Sequence, residues 1–313
     1  MINNFADRLI EQIRKKESAV VAGLDPTWEG IPEKIRHSAS SVSDAVFEYN
    51  RRLIDALYDI VPAVKPQLAY YELLGLEGLS AYHQTVRYAK SKGLLVIADG
   101  KRNDIGSTSE AYAKAFLDIN NCVDNFSVTR SAADALTVNP YLGIDGIAPF
   151  CDECNKNGAG IFVLVKTSNP SSGQLQDIKT EDGTILYERV ASLVAEWGED
   201  LIGKSGYSFV GAVVGATYPD QAKALRRLMP RTIILVPGYG AQGGSADTAA
   251  VNFNDDGLGA IVNASRSVMH AYKSPKWAEK YTADTFDLAA RSEAIAMTNA
   301  INEAVARKLE AKK

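Results

Sequence analysis

Cysteine and histidine are scarce, with three of each in the chain. Three cysteines cannot build the disulfide framework of a small secreted fold. A zinc site would need four ligands drawn from Cys122, Cys151, Cys154 and scattered histidines, at spacings no compact zinc motif uses. Cys151 and Cys154 form a C-x-x-C pair. They fall within a helical stretch before Lys156 and Gly158, not at the helix start of an early βαβ unit, and read as ordinary reduced thiols. Positive charge is not in excess either: 34 basic against 38 acidic residues leave a net charge of −4 and a pI of 5.6. Neutralising a phosphate backbone needs a basic face, so a general nucleic-acid binder is excluded. No apolar run reaches the ~18 residues of a membrane helix. The N-terminus lacks a signal-peptide core: Asp7, Glu11, Arg14 and Lys15 alternate with Phe5, Leu9, Ile10 and Ile13. That pattern predicts an amphipathic helix over 2–16, packed outside the main body, and the cytoplasm is the expected compartment.

Disordered tracts and linkers are also missing, so residues 1–313 are expected to form one domain. What is present is a recurrence. Short β-branched segments lie at 19–24, 63–67, 94–98, 135–138, 160–165, 209–214, 232–236 and 258–262, separated by helix-like stretches at 43–57, 77–92, 185–201 and 219–228. Continuous apolar runs suit parallel strands buried on both faces. Eight of them alternating with helices predict a (β/α)8 TIM barrel, with a doubly wound sheet as the competitor. A last amphipathic helix is expected over 285–310, also packed outside.

In such barrels the chemistry sits at the C-terminal ends of the strands. Those positions carry Asp25, Lys65, Asp99, Asn139, Lys166–Thr167, Pro237–Gly238 and Asn263. The densest cluster is Asp99-Gly100-Lys101-Arg102-Asn103-Asp104. Residues i and i+2 of a strand share a face, and neighbouring strands lie ~4.8 Å apart, so Asp99, Lys101 and Lys65 should meet at the mouth. Two lysines and two aspartates would leave that cluster neutral, which limits its desolvation cost. After the seventh segment comes Pro237-Gly238-Tyr239-Gly240-Ala241-Gln242-Gly243-Gly244. Its G-x-G-x-x-G match comes too late for a dinucleotide fold, but it fits the phosphate site that barrels build from loops seven and eight. Arg266 in loop eight offers a bidentate contact to a phosphate. Loop five, with Ser168, is rich in groups that can read a heterocycle edge.

Taken together, these residues resemble orotidine 5′-phosphate decarboxylase in its longer bacterial form, from Gly23-Leu24-Asp25-Pro26 to Arg266. The most specific part is Asp99-Gly100-Lys101-Arg102-Asn103-Asp104-Ile105-Gly106-Ser107-Thr108, supported by Lys65 and the Gly238–Gly243 loop. The resemblance implies cofactor- and metal-free decarboxylation of orotidine 5′-phosphate in pyrimidine biosynthesis. It implies an array of Lys65, Asp99, Lys101 and Asp104, with Asp25 on a ribose hydroxyl and Ser168 on the pyrimidine. Gly238, Gly240, Gln242, Gly243 and Arg266 would hold the phosphate. It implies a homodimer in which Asp104 and Thr108 cross to the partner's site. Insertions fall near 121–134, 174–184 and 270–284. The alternatives are a Mg²⁺-dependent phosphosugar lyase of the same superfamily, for which Glu72 is the spare carboxylate, a Schiff-base aldolase through Lys166, and a non-catalytic phosphate-binding barrel.

Overall fold

The computed structural model describes residues 4–120, 122–124, 126–128, 130–240 and 243–311. Within them eight parallel strands close into a barrel. They are β1 (Val20–Leu24), β2 (Ala63–Pro66), β3 (Leu95–Arg102), β4 (Ala135–Val138), β5 (Gly160–Lys166), β6 (Ser208–Val214), β7 (Thr232–Val236) and β8 (Ala260–Ala264). Each pairs with the next, and β8 returns to β1 through Val20↔Val262 and Ala22↔Ala264. Every residue of β1, β4, β6, β7 and β8 is buried. That is why these strands read as apolar runs without alternation: barrel interior lies on one side and helices on the other. The expected (β/α)8 barrel is the fold the chain adopts.

Helices follow the strands in order, among them Val42–Leu57, Gly75–Ser91, Gly106–Leu117, Ile144–Asn157, Leu186–Trp197 and Pro219–Leu228. Ser41 opens the first of these by accepting from Asp44 N at 3.0 Å, satisfying a donor that the helix itself cannot. The last helix, Phe286–Glu310, packs on Val42–Leu57 and β1 and so completes the outer ring. It begins one residue later than expected, because Ala283–Thr285 forms a separate tight turn capped by Thr282.

The N-terminal helix departs from expectation in place rather than kind. Its described part runs Phe5–Lys16, capped by Asn4 accepting from Ala6 N at 2.8 Å, and residues 2 and 3 of the expected span lie outside the described residues. It does not lie on the outer wall. Arg8 bonds Asp134 Oδ1 at 2.7 Å and Gly158 O at 2.9 Å, both just before strands begin. Phe5 meets Phe162 edge-on with ring centroids 5.9 Å apart, over Gly160, where any side chain would collide with the Phe5 ring. The helix therefore closes the N-terminal end of the barrel, opposite the mouth.

Four strands shift by one residue from their expected bounds, and two shift further for identifiable reasons. β8 starts after Gly259, whose φ of +83° makes the preceding Leu258-Gly259 a turn. β3 continues past Ala98 through polar residues to Arg102, with its register to β4 shifting between Ala98 and Arg102. In the 121–134 insertion, Cys122–Val123 pairs antiparallel with Phe126–Ser127.

Because Phe5 is buried against the β5 ring, Phe5→Ala should cost ~3–5 kcal/mol of unfolding free energy, read from urea denaturation. A loss under ~1 kcal/mol, the range of peripheral substitutions, would contradict the plug.

Candidate active site

The strand ends converge on a cavity of about 550 Å³ at the C-terminal mouth. That volume falls within the range of small-molecule sites. Its floor is built by β2, β3 and β4. Lys65 Nζ lies 2.5 Å from Asp99 Oδ2, and Lys101 Nζ lies 2.6 Å from Asp99 Oδ1. Gln67 Nε2 also donates to Oδ2, and Thr137 Oγ1 to Oδ1, each at 2.9 Å. The carboxylate thus receives four donors. Lys65 is almost wholly buried, with 5% of its side chain exposed, whereas Lys101 keeps 45% exposed at the mouth. Of the two ammonium groups, Lys101 is therefore the one with room to meet a ligand.

Burial would raise the Asp99 pKa, but the charges of Lys65 and Lys101 and their hydrogen bonds outweigh it and hold the carboxyl well below the usual range. Burial would likewise strip Lys65 of its proton, and Asp99 and Asp25 reverse that, so Lys65 stays cationic. Asp25, following β1, behaves differently. Its burial raises the pKa, only partly offset by Lys65, and its Oδ1 is buried with no hydrogen-bond partner among the described residues. Asn263 Oδ1, in β8, is orphaned in the same way. Unpaired buried acceptors on a cavity wall are costly until a donor arrives, and hydroxyl groups of a ligand are such donors.

The convergence of residues 65, 99 and 101 agrees with the strand-periodicity argument, but the route differs. Lys101 is not in plain extended backbone: its φ is +49°, in the left-handed region, and it sits where the β3–β4 register shifts. Such a conformation costs ~1–3 kcal/mol and persists only where the surroundings hold it. Gln67 and Thr137 were not singled out from the sequence. Gln67 stands two residues after Lys65 on the same strand-end face, so the i, i+2 rule finds it. Thr137 is the one hydroxyl in an otherwise apolar β4.

Loop five brings Thr167, Ser168 and Asn169 to the opposite wall. Gly215 makes room for it, since a methyl group there would run into Ser168. Lys166, by contrast, points away from the cavity. Its ammonium is buried against Asp177 Oδ1 at 2.6 Å and Ser172 Oγ at 3.3 Å, flanked by the Tyr187 and Tyr218 rings. A Schiff base through Lys166 therefore has no access to a substrate. Glu72 is also outside the cavity, paired with Arg102. Among the described residues no three His, Cys, Asp or Glu side chains cluster as metal ligands. Cys151 and Cys154 lie on the Ile144–Asn157 helix as free thiols, with burial pushing Cys151 up to about 12 and Cys154 also upward.

The phosphate side is only partly as expected. Gly238 and Arg266 line the cavity, and the Arg266 guanidinium has no ion pair among the described residues. Gly240 and Gly243 do not line it. Both have positive φ, and their amides are consumed inside the loop: Gly240 N bonds Gly244 O at 2.9 Å and Gly243 N bonds Gly240 O at 3.0 Å. The cradle of glycine amides predicted from composition is thus not presented to the cavity. Gln242 lies outside the described residues. Loop eight is pressed onto β1 at Gly23, where any side chain would overlap Ser265. Asp104 and Thr108 are also absent from the cavity wall. Asp104 caps Ile105 N at 2.8 Å, and Thr108 is exposed in the first turn of the helix from Gly106.

A (β/α)8 barrel with a Lys–Asp–Lys array on its floor and an arginine at the rim of the same cavity defines a class: enzymes that act on small phosphorylated substrates at loops seven and eight. Comparison with known proteins narrows this. The model of the orotidine 5′-phosphate decarboxylase / HUMPS family matches residues 18–281, and the chain belongs to that family. It is 44% identical over 279 residues to an orotidine 5′-phosphate decarboxylase of Caldicellulosiruptor saccharolyticus, covering 87% of this chain and 91% of that protein. It is 44% identical over 300 residues to that of Rhodopirellula baltica, covering 94% and 97%. The solved Leishmania donovani OMP decarboxylase superposes with a TM-score of 0.69 at 28% identity, covering 95% of this chain and 99% of that one.

The depressed Asp99 pKa has a measurable consequence. Its ionised form contributes stability in full above the unfolded-state pKa of ~3.9. That contribution is lost as pH falls through this value toward the lower folded-state pKa. Asp99→Asn removes the carboxylate that both ammonium groups share. It should cost ~3–5 kcal/mol near neutrality, and the difference from the unmodified protein should shrink below about pH 4. A difference of constant size down to about pH 3 would contradict the pairing.

Proposed function

We propose that this protein decarboxylates orotidine 5′-phosphate to uridine 5′-monophosphate and carbon dioxide, a step of pyrimidine biosynthesis, with Lys101 as the group that meets the reacting carbon. The observation that carries the assignment is the Asp99 carboxylate bridging two cavity-lining lysines, of which Lys101 is the exposed one. Loss of carbon dioxide from C6 leaves an electron pair with little delocalisation. The task is therefore electrostatic, and an ammonium group fixed in a partly dry site answers it by stabilising the carbanion and then delivering a proton to it.

Repulsion between Asp99 and the substrate carboxylate is a smaller term. Two unit charges ~4 Å apart at an effective dielectric of ~20 interact by ~4 kcal/mol, against barrier reductions that reach ~23 kcal/mol. Here four donors already surround Asp99, which damps its field further. Its larger role is to hold the Lys101 ammonium in one place, 2.6 Å from Oδ1. Asp25 and Asn263, with their orphaned oxygens, suit ribose hydroxyls, Ser168 suits the pyrimidine edge, and Arg266 with Gly238 suits the phosphate. Binding energy from that phosphate, remote from C6, is available for holding the substrate in its reactive pose.

The active form in this reading is a cytoplasmic homodimer. Asp104 sits on a rim that also carries exposed Leu73, Leu76, Ile105, Tyr141 and Ile144. Exposed apolar groups after three neighbouring strands suit an interface. Asp104 and Thr108 then enter the neighbouring cavity, which supplies the fourth charge of the array.

Lys101→Ala should abolish the absorbance change of orotidine 5′-phosphate while calorimetric affinity for uridine 5′-monophosphate persists. EDTA should leave turnover of the unmodified protein unchanged. Near-normal turnover by the variant removes Lys101 from the chemistry, and chelator sensitivity favours the Mg²⁺-dependent lyase. For the dimer, mixing inactive Lys101→Ala with inactive Asp104→Asn should regenerate activity, because some shared sites then contain neither substitution. No recovery after subunit exchange would contradict a site built across the interface.

A further inference from the structure

Thr137 has so far entered only as one of four donors to Asp99, yet its hydroxyl touches two members of the array. Lys101 N donates to Thr137 Oγ1 at 2.9 Å, and Oγ1 lies 2.9 Å from Asp99 Oδ1. A backbone amide can only donate and a carboxylate can only accept. Thr137 must therefore accept from Lys101 and give its single hydroxyl hydrogen to Asp99, so the direction of both bonds is determined. The Lys101 amide needs this partner. The β3–β4 ladder is interrupted between Ala98 and Arg102, and Lys101 is held at φ +49°, where an L-residue stays only if its surroundings keep it. Packing alone does not call for threonine, because β4 is otherwise Ala135, Leu136 and Val138, and valine has the same shape.

We propose that Thr137 is a positioning residue for the decarboxylation: its hydroxyl replaces the missing ladder bond and sets the Lys101 ammonium and the Asp99 carboxylate in one geometry. The proposal rests on the reading of Lys101 as the group that meets C6. It concerns the rate of the chemical step rather than substrate affinity, since the atoms it fixes are those of the array and not those at the phosphate end.

Thr137→Val keeps shape and removes the hydroxyl. It should lower kcat ~10- to 100-fold, the scale of a misplacement of about 1 Å at the reacting centre. KM and the affinity for uridine 5′-monophosphate should hardly change. Thr137→Ser, which keeps the hydroxyl, should restore kcat. If Thr137→Val does not fold, Thr137→Ala and Thr137→Ser carry the same comparison, since both lack the methyl group and differ only in the hydroxyl. An unchanged kcat in Thr137→Val, or equal impairment of the serine and alanine variants, overturns the proposal. Absence of turnover in the unmodified protein would instead overturn the decarboxylase reading, and the role of Thr137 with it.

Discussion

One buried carboxylate organises the mouth of this barrel. Asp99 carries a single negative charge, and two lysines approach it at 2.5 and 2.6 Å. Without it, Lys65 would lose its hydrogen-bonded counter-charge in the interior, a situation that costs several kcal/mol or ends in loss of the proton. With it, Lys65 is a buried counter-charge and Lys101 is a charged group whose direction is fixed. The same carboxylate is held in turn by Gln67 and Thr137, so its position is set from three strands at once. A group restrained in this way need not reorganise when charge develops nearby, which is the condition under which electrostatic stabilisation is strongest.

The barrel supplies what that interaction requires. Fully buried strands make a rigid, low-dielectric wall, and the N-terminal helix packs across the far end, opposite the mouth. Several local departures from regularity fall at the site. Lys101 takes a left-handed backbone, β3 loses register with β4, and Gly23 and Gly215 let loops eight and five press against the strands. The apolar strands carry the stability of the fold, and the strand ends carry the strain.

Much of this was legible in the sequence because burial on both faces writes itself as continuous apolar runs, and eight of them were countable. The charged residues at strand ends stood out for the same reason: they interrupt those runs at a fixed place in each repeat. What could not be read was geometry decided by loops. Composition made Gly240 and Gly243 look like a phosphate cradle, but their amides turn inward onto Gly240 and Gly244 carbonyls. Lys166 stands at a strand end and offered a Schiff-base alternative, yet Asp177, from an insertion 11 residues on, draws it away from the cavity. The N-terminal helix was expected from its periodicity, whereas its seat beneath the barrel depends on Arg8 and Phe5 meeting partners more than a hundred residues distant. Thr137 was missed because a lone hydroxyl in an apolar strand carries no signal until its neighbours are known.

In the proposed reaction the Lys101 ammonium, held by Asp99, faces the pyrimidine carbon that loses carbon dioxide. A crystal structure with uridine 5′-monophosphate bound tests it most directly. Lys101 Nζ should then lie within ~3–3.5 Å of C6, with the phosphate on Arg266. A nucleotide bound with C6 turned away from Lys101, or with its phosphate on the lysine array, would contradict it.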